Sequence, residues 1–478
     1  MTTTAYITTS IPYVNARPHV GHALELVQAD AIARYHRLVG HQTHLQTGTD
    51  ENAFKNVLSA RSLGMPVQAL VDGNSNLFRQ LAAALNTSAD TFIRTTSEQH
   101  RKAVHEFWKS LKRQDVYTRQ YKGLYCVGCE DFYLERDLID SRCPDHSTLP
   151  TEVEEENYFF RLSAYQERLQ RLIESDSIKV VPGTGKHEVL SFVSRGLQDI
   201  SISRSRERSG EWGIQVPEDP SQVVYVWIDA LVNYLSGLGY GTNDEWRVFW
   251  NPFTRKTHII GKDIWKFHAV YWPALLLSAD LPPPDEVIVH NFLTEDGQKI
   301  SKSRGSPIDP LDVTKEYGAD AIRYYLLRGI SSSGDSDFST QRLRALYNSD
   351  LANGLGNLVS RLATLAQRAN LGEHDSEIPV APDGYHESLG KYRYEDALDA
   401  LWDIVTNLNR QIEDERPWEA LKQKNTAGLK RQLREWLTDL RRVAYWLQPF
   451  LPASAGAILR IISSNPITAT PPVFPRAN

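Results

Sequence analysis

A short motif near the start of the chain combines residue types that bind phosphate. Residues 18–22 read Pro-His-Val-Gly-His, so that two imidazoles, His19 and His22, flank Gly21. Glycine lets a backbone approach a phosphate closely, and the first turn of a helix presents N–H groups to an anion. The motif stands where a strand is predicted to give way to a helix, which is where such an anion site would form.

A second motif, far along the chain, supplies positive charge. Residues 299–303 read Lys-Ile-Ser-Lys-Ser, which places Lys299 and Lys302 three residues apart with Ser301 between them. Two ammonium groups flanked by hydroxyls can hold a polyphosphate and stabilise the charge that develops on it. Either motif alone is also typical of a structural turn, but the two in this order indicate a nucleotide site.

The three cysteines of the chain form a metal-binding pattern with one histidine. Cys126 and Cys129 are followed by Cys143 and His146, each pair having the spacing of a ligand, two residues and a ligand. An odd number of cysteines argues against a disulfide framework, and their clustering argues for a metal. Four nitrogen and sulfur ligands suit tetrahedral Zn²⁺ in a closed, structural site. The alternative is a set of thiols that bind no metal.

The first 50 residues, which carry the first histidine motif, are predicted to begin with a strand, a turn and a helix. Ala5–Thr9 is a short β-prone run, and His22–Leu38 has apolar residues at helical spacing. His44–Gln46 predicts a second buried strand, which ends in a polar loop at Asp50. This is the start of a doubly wound α/β sheet, in which ligands bind beyond the carboxyl ends of the strands.

The α/β pattern stops near residue 115 and later resumes. The strands predicted on its return are Val223–Trp227, Thr257–Ile260 and Glu286–His290. The helices predicted after them are Ser339–Leu371, Tyr394–Gln411, Pro417–Lys422 and Leu429–Leu447. We therefore predict an α/β fold in which a split Rossmann-type parallel sheet carries a zinc-binding insertion and is followed by an all-α helical bundle. The predicted segments are 1–115 for the first half of the nucleotide-binding domain, 116–220 for the insertion, 221–340 for the second half with the lysine loop, and 341–478 for the helical domain.

Composition and charge limit the classes of protein to consider. The chain has 478 residues, 41% of them hydrophobic and 23% charged, which is typical of a globular protein with several domains. The start does not resemble a secretion leader, and no apolar run is long enough to span a membrane, so we expect a cytoplasmic protein without a membrane partner. The net charge of −6 excludes nucleic-acid binding by bulk charge, so any RNA contact must use local basic surfaces.

Four further segments point to one family. They are Ser10–Asn15, Tyr225–Tyr234, Gly261–Ile264 with His268, and His290–Leu293. Together with the two motifs, they resemble the methionyl-tRNA synthetases, a family of class I aminoacyl-tRNA synthetases, over nearly the whole chain. Ile300 replaces the methionine usual in the second motif, which leaves both lysines in place. The resemblance implies that ATP, with Mg²⁺, activates L-methionine to methionyl-adenylate, and that the methionyl group passes to the 3′-terminal ribose of tRNA(Met).

The resemblance also implies roles for individual residues. The catalytic residues would be His19, His22, Lys299 and Lys302. The methionine site, with Asp50 for the ammonium group, would consist of Ile11, Tyr13, Asp50, Trp227, Ala230, Leu231, Tyr234, Ile264 and His268. ATP would be bound by His19, Gly21, His22, Gly261, Asp263, His290, Lys299, Ser301 and Lys302. The anticodon would be read by Asn357, Arg361 and Trp418. One structural zinc per chain and a monomeric state complete these expectations.

The chain departs from the family pattern after Asp50 and Glu51. The family usually continues with His-Gly, whereas this chain has Asn52 and Ala53. Since Asp50 is kept, we expect ammonium recognition to be intact, and the packing behind it to differ. Two alternatives remain at this point: a class I synthetase specific for leucine, isoleucine, valine or cysteine, and a paralogue of weakened activity that only binds RNA.

Overall fold

Two compact units make up the chain. The first contains residues 1–18, 40–81 and 88–290, and the second contains residues 19–39, 82–87 and 291–478. The computed structural model describes residues 3–126, 131–133, 135, 138–144, 147–295, 298–299, 308–331, 334, 336–372, 377–423 and 426–476. Within these residues, no helix has both the length and the apolar character that crossing a membrane requires.

The first unit is built on a parallel sheet. In order across the sheet, its strands are Thr91–Arg94, Gln42–Thr49, Thr4–Thr9, Thr254–Gly261, Glu286–His290 and Lys179–Val181. All neighbouring strands are parallel. The strand order reverses at Thr4–Thr9, and ligands of such sheets bind in the crevice beyond the carboxyl ends at this reversal. The predicted α/β class with a parallel sheet is confirmed, but the edge strand Lys179–Val181, from within the predicted insertion, was not foreseen.

The centre of the sheet is tied to the elements that form the candidate site. Ala5, Tyr6 and Ile7 are completely buried, as is typical of a parallel strand that is covered on both faces. The hydroxyl oxygen of Tyr6 lies 2.8 Å from Gln46 Oε1 and 2.9 Å from the carbonyl oxygen of Tyr234, two acceptors that share its single hydrogen. The central strand thereby fixes the backbone at Tyr234, one of the predicted methionine-site residues.

Helices connect the strands of the chain before residue 290. They are Val20–Leu38, Phe54–Ser62, Val67–Ala84, Glu98–Ser110, Gln166–Glu174, Gly183–Ser194, Val226–Leu231, Asn233–Ser236, Trp246–Phe249 and Trp272–Ser278. Tighter or wider helical turns occupy Arg113–Asp115, Leu162–Tyr165, Lys262–Ile264 and Phe267–Tyr271.

Between residues 116 and 224 the chain forms two small antiparallel sheets. The larger has the order Asp131–Tyr133, Val116–Cys126, Thr151–Phe160 and Ile200–Ser201, and the smaller has Gln215–Val216, Asp219–Val224 and Ser203–Ser205. The prediction that Val223–Trp227 is a strand of the parallel sheet is wrong. Val223 and Val224 end an antiparallel strand, and Val226 begins a helix. A short apolar run fits a strand and a buried helix equally well, so its periodicity does not separate them.

The second unit is largely helical, which confirms the predicted helical C-terminal region. Its helices after residue 290 are Pro310–Tyr317, Ala319–Tyr324, Thr340–Leu346, Asn357–Arg368, Tyr385–Gly390, Tyr394–Glu415, Pro417–Lys422, Thr426–Leu447 and Pro452–Ile462. Wider π-helical segments cover Tyr325–Gly329 and Tyr347–Gly356. Its short strands are Leu293–Glu295, Gln298–Lys299 and Ser336–Phe338.

A buried ion pair fixes the helix Val20–Leu38 within the second unit. Oδ2 of Asp30 on this helix lies 2.6 Å from Nη1 of Arg323, and both side chains are completely buried. Arg323 also donates to the carbonyl oxygens of Pro449, at 2.9 Å, and Phe450, at 2.6 Å. A buried charge is tolerated when an opposite charge and hydrogen bonds replace its water. The pair therefore anchors the helix whose N-terminus carries the first histidine motif.

Candidate active site

The first histidine motif forms the N-terminus of the helix Val20–Leu38. His19 caps this helix: its Nδ1 accepts from the backbone N–H of Gly21 at 3.1 Å, and Nδ1 of His22 accepts from the backbone N–H of His19 at 3.1 Å. The two rings stack with centroids 3.8 Å apart. Because a backbone N–H only donates, each Nδ1 is an acceptor, and the neutral ring then carries its proton on Nε2. The capping contacts therefore fix the tautomer of both neutral imidazoles, with the proton on Nε2.

Gly21 is needed for a second reason that the sequence did not reveal. A Cβ atom at this position would lie 2.9 Å from Cε1 of His19. A side chain here would push the His19 ring out of its capping position, since non-bonded carbon atoms prefer a separation of about 3.5–4.0 Å. The glycine therefore keeps the imidazole in place as well as leaving room beside the backbone.

The loop after the central strand meets the loop after its neighbour in the first unit. The backbone N–H of Asp50 donates to the carbonyl oxygen of Pro12 at 2.9 Å, and that of Val14 donates to the carbonyl oxygen of Asp50 at 3.3 Å. Tyr13 and Asp50 consequently form a parallel bridge. The Asp50 side chain is buried, and its Oδ1 accepts from the backbone N–H of Asn52 at 3.1 Å. A carboxylate held in this way is suited to binding an ammonium group.

Aromatic rings pack together next to this loop. The rings of Tyr13 and Trp227 lie 5.8 Å apart, and Trp227 stacks flat on Phe267 with centroids 3.8 Å apart. Ala230 and Leu231 are buried on the same helix as Trp227, which we call the pocket helix, Val226–Leu231. Ring edges and small apolar side chains suit an unbranched, polarizable thioether.

A hydrogen-bonded pair, Tyr234 and His268, completes this set of side chains. The Tyr234 hydroxyl lies 2.7 Å from Nε2 of His268, whose Nδ1 lies 3.0 Å from the carbonyl oxygen of Ile264. A carbonyl only accepts, so Nδ1 carries the proton, and in the neutral ring Nε2 accepts from Tyr234. Tyr234 also stacks on the buried His258, whose pKa is lowered well below its usual value, first by burial and then by His268 and Lys256. Ile264 is half-buried against the core, and Ile11, in the loop after the central strand, is half-buried too.

The residues predicted to contact ATP in the first unit also lie together. Gly261 ends its strand in register with His290, the last residue of the neighbouring strand. A Cβ atom at Gly261 would lie 3.2 Å from Oδ1 of Asp263 and 3.7 Å from Cε1 of His290. These three residues therefore surround one point at the carboxyl end of the sheet, where a bulkier residue would fill the space.

The lysine motif lies mostly outside the described residues. Lys299 belongs to the two-residue strand Gln298–Lys299, where its backbone pairs with that of Thr294. Ser301 and Lys302 lie outside the described part of the chain. Their predicted contacts with ATP stay predictions.

Two of the four predicted zinc ligands, Cys126 and Cys143, are described, and both are buried. The Cys126 Sγ atom lies 3.6 Å from Oγ1 of Thr148, and the backbone N–H of Cys143 donates to the carbonyl oxygen of the same Thr148 at 2.9 Å. Cys129 and His146 lie outside the described residues, within which no three potential metal ligands come together. Thr148 thus contacts Cys126 through its side chain and Cys143 through the backbone, and the zinc site stays a prediction.

The predicted anticodon residues lie on two helices of the second unit that pack together, Asn357–Arg368 and Pro417–Lys422. Asn357 is exposed at the start of the first of these helices, and Nη1 of Arg361 lies 3.6 Å from Oε1 of Glu413. Trp418 is 39% exposed in the first turn of the second helix. An exposed indole can stack on an unpaired base.

Comparison with known proteins identifies the family. The profile described as tRNA synthetases class I (M) matches residues 5–149 and 134–363. The methionine–tRNA ligase of Thermotoga maritima is 40% identical over 96% of this chain and 75% of the relative, and that of Rhizobium meliloti is 39% identical over 98% of both. The chain belongs to the class I methionyl-tRNA synthetases. A solved member, Mycobacterium tuberculosis methionyl-tRNA synthetase in complex with methionyl-adenylate, superposes with a TM-score of 0.91 at 36% identity over 99% of both chains.

Membership of the methionyl-tRNA synthetases favours methionine over the other amino acids considered from the sequence. Sequence reasoning nevertheless missed side chains that support the predicted pocket, namely Phe267 under Trp227, His258 under Tyr234, and the contacts of Asp229 with Asn52 and His100. Their separation along the chain leaves no spacing signal. Asn52 was noticed in the sequence because it stands where the family usually has histidine, but its partners were not predicted.

Proposed function

We propose that this chain activates L-methionine with ATP and transfers the methionyl group to the 3′-terminal ribose of a tRNA. The observation that carries the proposal lies in the first unit: Asp50, whose side chain is buried, forms a backbone bridge with Tyr13, whose ring lies 5.8 Å from that of Trp227. One end of this site suits an ammonium group, and the other suits a thioether. The relatives named methionine–tRNA ligase support the same activity.

In the first step, an oxygen of the methionine carboxylate forms a bond to the α-phosphorus of ATP, and the bond to the bridging oxygen breaks, which releases pyrophosphate. The Nε2–H donors of His19 and His22 would stabilise negative charge on the phosphate oxygens. Lys299 and Lys302 would hold the leaving pyrophosphate, with Mg²⁺ bound to ATP. In the second step, a ribose hydroxyl of the tRNA attacks the carbonyl carbon of the adenylate, and AMP leaves.

Cys126, Cys129, Cys143 and His146 would hold one zinc ion. Zinc bound by four protein ligands supplies folding free energy rather than catalysis. The four-segment domain division, the monomeric state and the cytoplasmic location belong to the same proposal.

Methionine-dependent exchange between ATP and pyrophosphate tests the first step. Purified protein should support exchange with methionine, and far less with leucine, isoleucine, valine or cysteine. A preference for one of these would contradict the proposed specificity. No exchange with any amino acid, while tRNA is still bound, would favour the paralogue that only binds RNA.

The tRNA step is tested by Trp418→Ala, because the loss of one stacked base costs about 1–3 kcal/mol. Charging of a tRNA with the anticodon CAU should fall roughly 10- to 100-fold, while pyrophosphate exchange stays nearly intact. Trp436→Ala is the matched control: this tryptophan is buried and donates to Gln411, so its loss should lower the melting temperature instead. If Trp418→Ala lowers both exchange and the melting temperature, Trp418 is a packing residue.

A further inference from the structure

A buried carboxylate lies in the middle of the pocket helix. Asp229 is completely buried, and its neighbours in sequence include Trp227 and Ala230, both predicted to contact methionine. Its Oδ2 accepts from Nδ2 of Asn52 at 2.7 Å, and its Oδ1 lies 2.6 Å from Nε2 of His100. A carboxylate without water needs such partners, so the two contacts, one on each oxygen, fix the orientation of Asp229 and of the helix that carries it.

Asn52 is also connected to the loop of Asp50. Its backbone N–H donates to Oδ1 of Asp50 at 3.1 Å, and its side-chain Nδ2 donates a second hydrogen bond to the carbonyl oxygen of Thr95 at 3.2 Å. Both partners of Nδ2, the Asp229 carboxylate and the Thr95 carbonyl, only accept. The network therefore assigns the nitrogen of the amide and uses both of its N–H groups.

His100 has a different place in this network. Its Nδ1 lies 2.7 Å from Oγ of Ser236, so it joins Asp229 to the helix that follows the pocket helix. Asn52 forms hydrogen bonds with two carboxylates: Asp50, which is predicted to bind the ammonium group of methionine, and Asp229, which lies on the pocket helix. A change at Asn52 can therefore alter the position of Asp50 relative to the pocket helix.

We propose that Asn52 is a positioning residue that sets the separation between the ammonium-binding carboxylate and the pocket helix. The inference rests on the proposed function, since it assumes that methionine binds between them. A neutral imidazole has a single N–H donor, whereas the amide has two. A neutral histidine at this position would donate to only one of the two acceptors, Asp229 or the Thr95 carbonyl. In this chain the amide serves both, and the methionine site depends on it.

The test measures the KM values for methionine and for ATP in pyrophosphate exchange. In Asn52→Ala the backbone N–H to Asp50 remains and the donor to Asp229 is lost. The methionine KM should rise about 10-fold, equivalent to about 1.4 kcal/mol, while the ATP KM changes less than about 2-fold. Asn52→His, which keeps one donor, should give a methionine KM between those of the wild type and Asn52→Ala.

Asn157→Ala is the matched control. Asn157 is also buried in the first unit, and its amide donates to Oε1 of Glu155 at 2.8 Å, outside the predicted pocket. Its loss should lower the melting temperature and leave the methionine KM unchanged.

The possible outcomes separate this inference from the proposed function. If wild type exchanges with methionine and Asn52→Ala has an unchanged methionine KM, Asn52 is only structural and the inference is wrong. If wild type does not use methionine, the proposed function itself fails. Should Asn52→Ala not fold, Asn52→His decides: a raised methionine KM with an unchanged ATP KM supports the inference, and two unchanged KM values overturn it.

Discussion

Removal of the Tyr234 hydroxyl should weaken methionine binding by a calculable amount. Tyr234→Phe keeps the ring that stacks on His258 but removes the donor to Nε2 of His268. His268 is buried, and its Nδ1 is occupied by the Ile264 carbonyl, so Nε2 loses the hydrogen bond from Tyr234 at a buried position. A buried acceptor left without its hydrogen bond costs about 1–3 kcal/mol. Part of this cost lowers the free energy of unfolding. The remainder weakens methionine binding, because His268 is no longer held in its orientation.

We therefore expect the methionine KM of Tyr234→Phe to rise roughly 10-fold, with the ATP KM unchanged and the melting temperature a few degrees lower. Exchange kinetics and thermal denaturation measure these quantities. Tyr165→Phe is the control, since its buried hydroxyl donates to Asp115, away from the predicted pocket. A double-mutant cycle with His268→Ala should give a coupling of about 0.5–3 kcal/mol. Additive effects, or a methionine KM that rises equally in the control, would refute the reasoning.

Three further predictions concern other parts of the chain. Lys302→Ala should slow adenylate formation roughly 10²-fold, about 2.7 kcal/mol of barrier, with little change in methionine binding; an equal loss of methionine affinity would mean that the loop is structural. Purified protein should contain about one zinc per chain by metal analysis, and Cys126→Ser should lose it; iron, or no metal in freshly prepared protein, would contradict this. Burial, followed by the hydrogen bond to Asp115, raises the pKa of Tyr165 to about 12. The stabilisation that comes with this raised pKa is complete below pH about 10 and is lost as the pH rises to about 12, so the difference in free energy of unfolding between wild type and Tyr165→Phe should fall over that range; a constant difference would contradict it.

The bounds of an element could be predicted from the sequence where a particular residue type, such as proline, stands at or near its first residue. Glu286–His290 and Pro417–Lys422 have the bounds predicted from the sequence, the first because an apolar run follows a cluster of prolines, and the second because proline favours the first turn of a helix. Val223–Trp227 lacked such marks, and the chain changes from strand to helix inside it. The partner of a strand is set by tertiary contacts, which apolar periodicity does not encode.

Parts of the candidate site that consist of one continuous motif could be predicted from the sequence. Parts that are built by contacts between distant residues could not. The capping arrangement of His19 and His22 follows from neighbouring residues. The partners of Asp229 come from two other regions of the chain, and neither spacing nor composition joins them. The resemblance to a family identified Asn52 as unusual, but only the geometry shows what its amide contacts.

The edge strand Lys179–Val181 limits how the chain can be shortened. It pairs with Glu286–His290, so the region between the two halves of the sheet also closes one side of it. Replacing residues 116–220 by a short linker would leave the backbone groups of Glu286–Ile288 open to other chains, and exposed apolar edges promote aggregation. A minimal version of this protein should therefore retain Lys179–Val181 together with the helix Gln166–Glu174 before it and Gly183–Ser194 after it. The strand makes the inserted region a structural part of the sheet and not a detachable module.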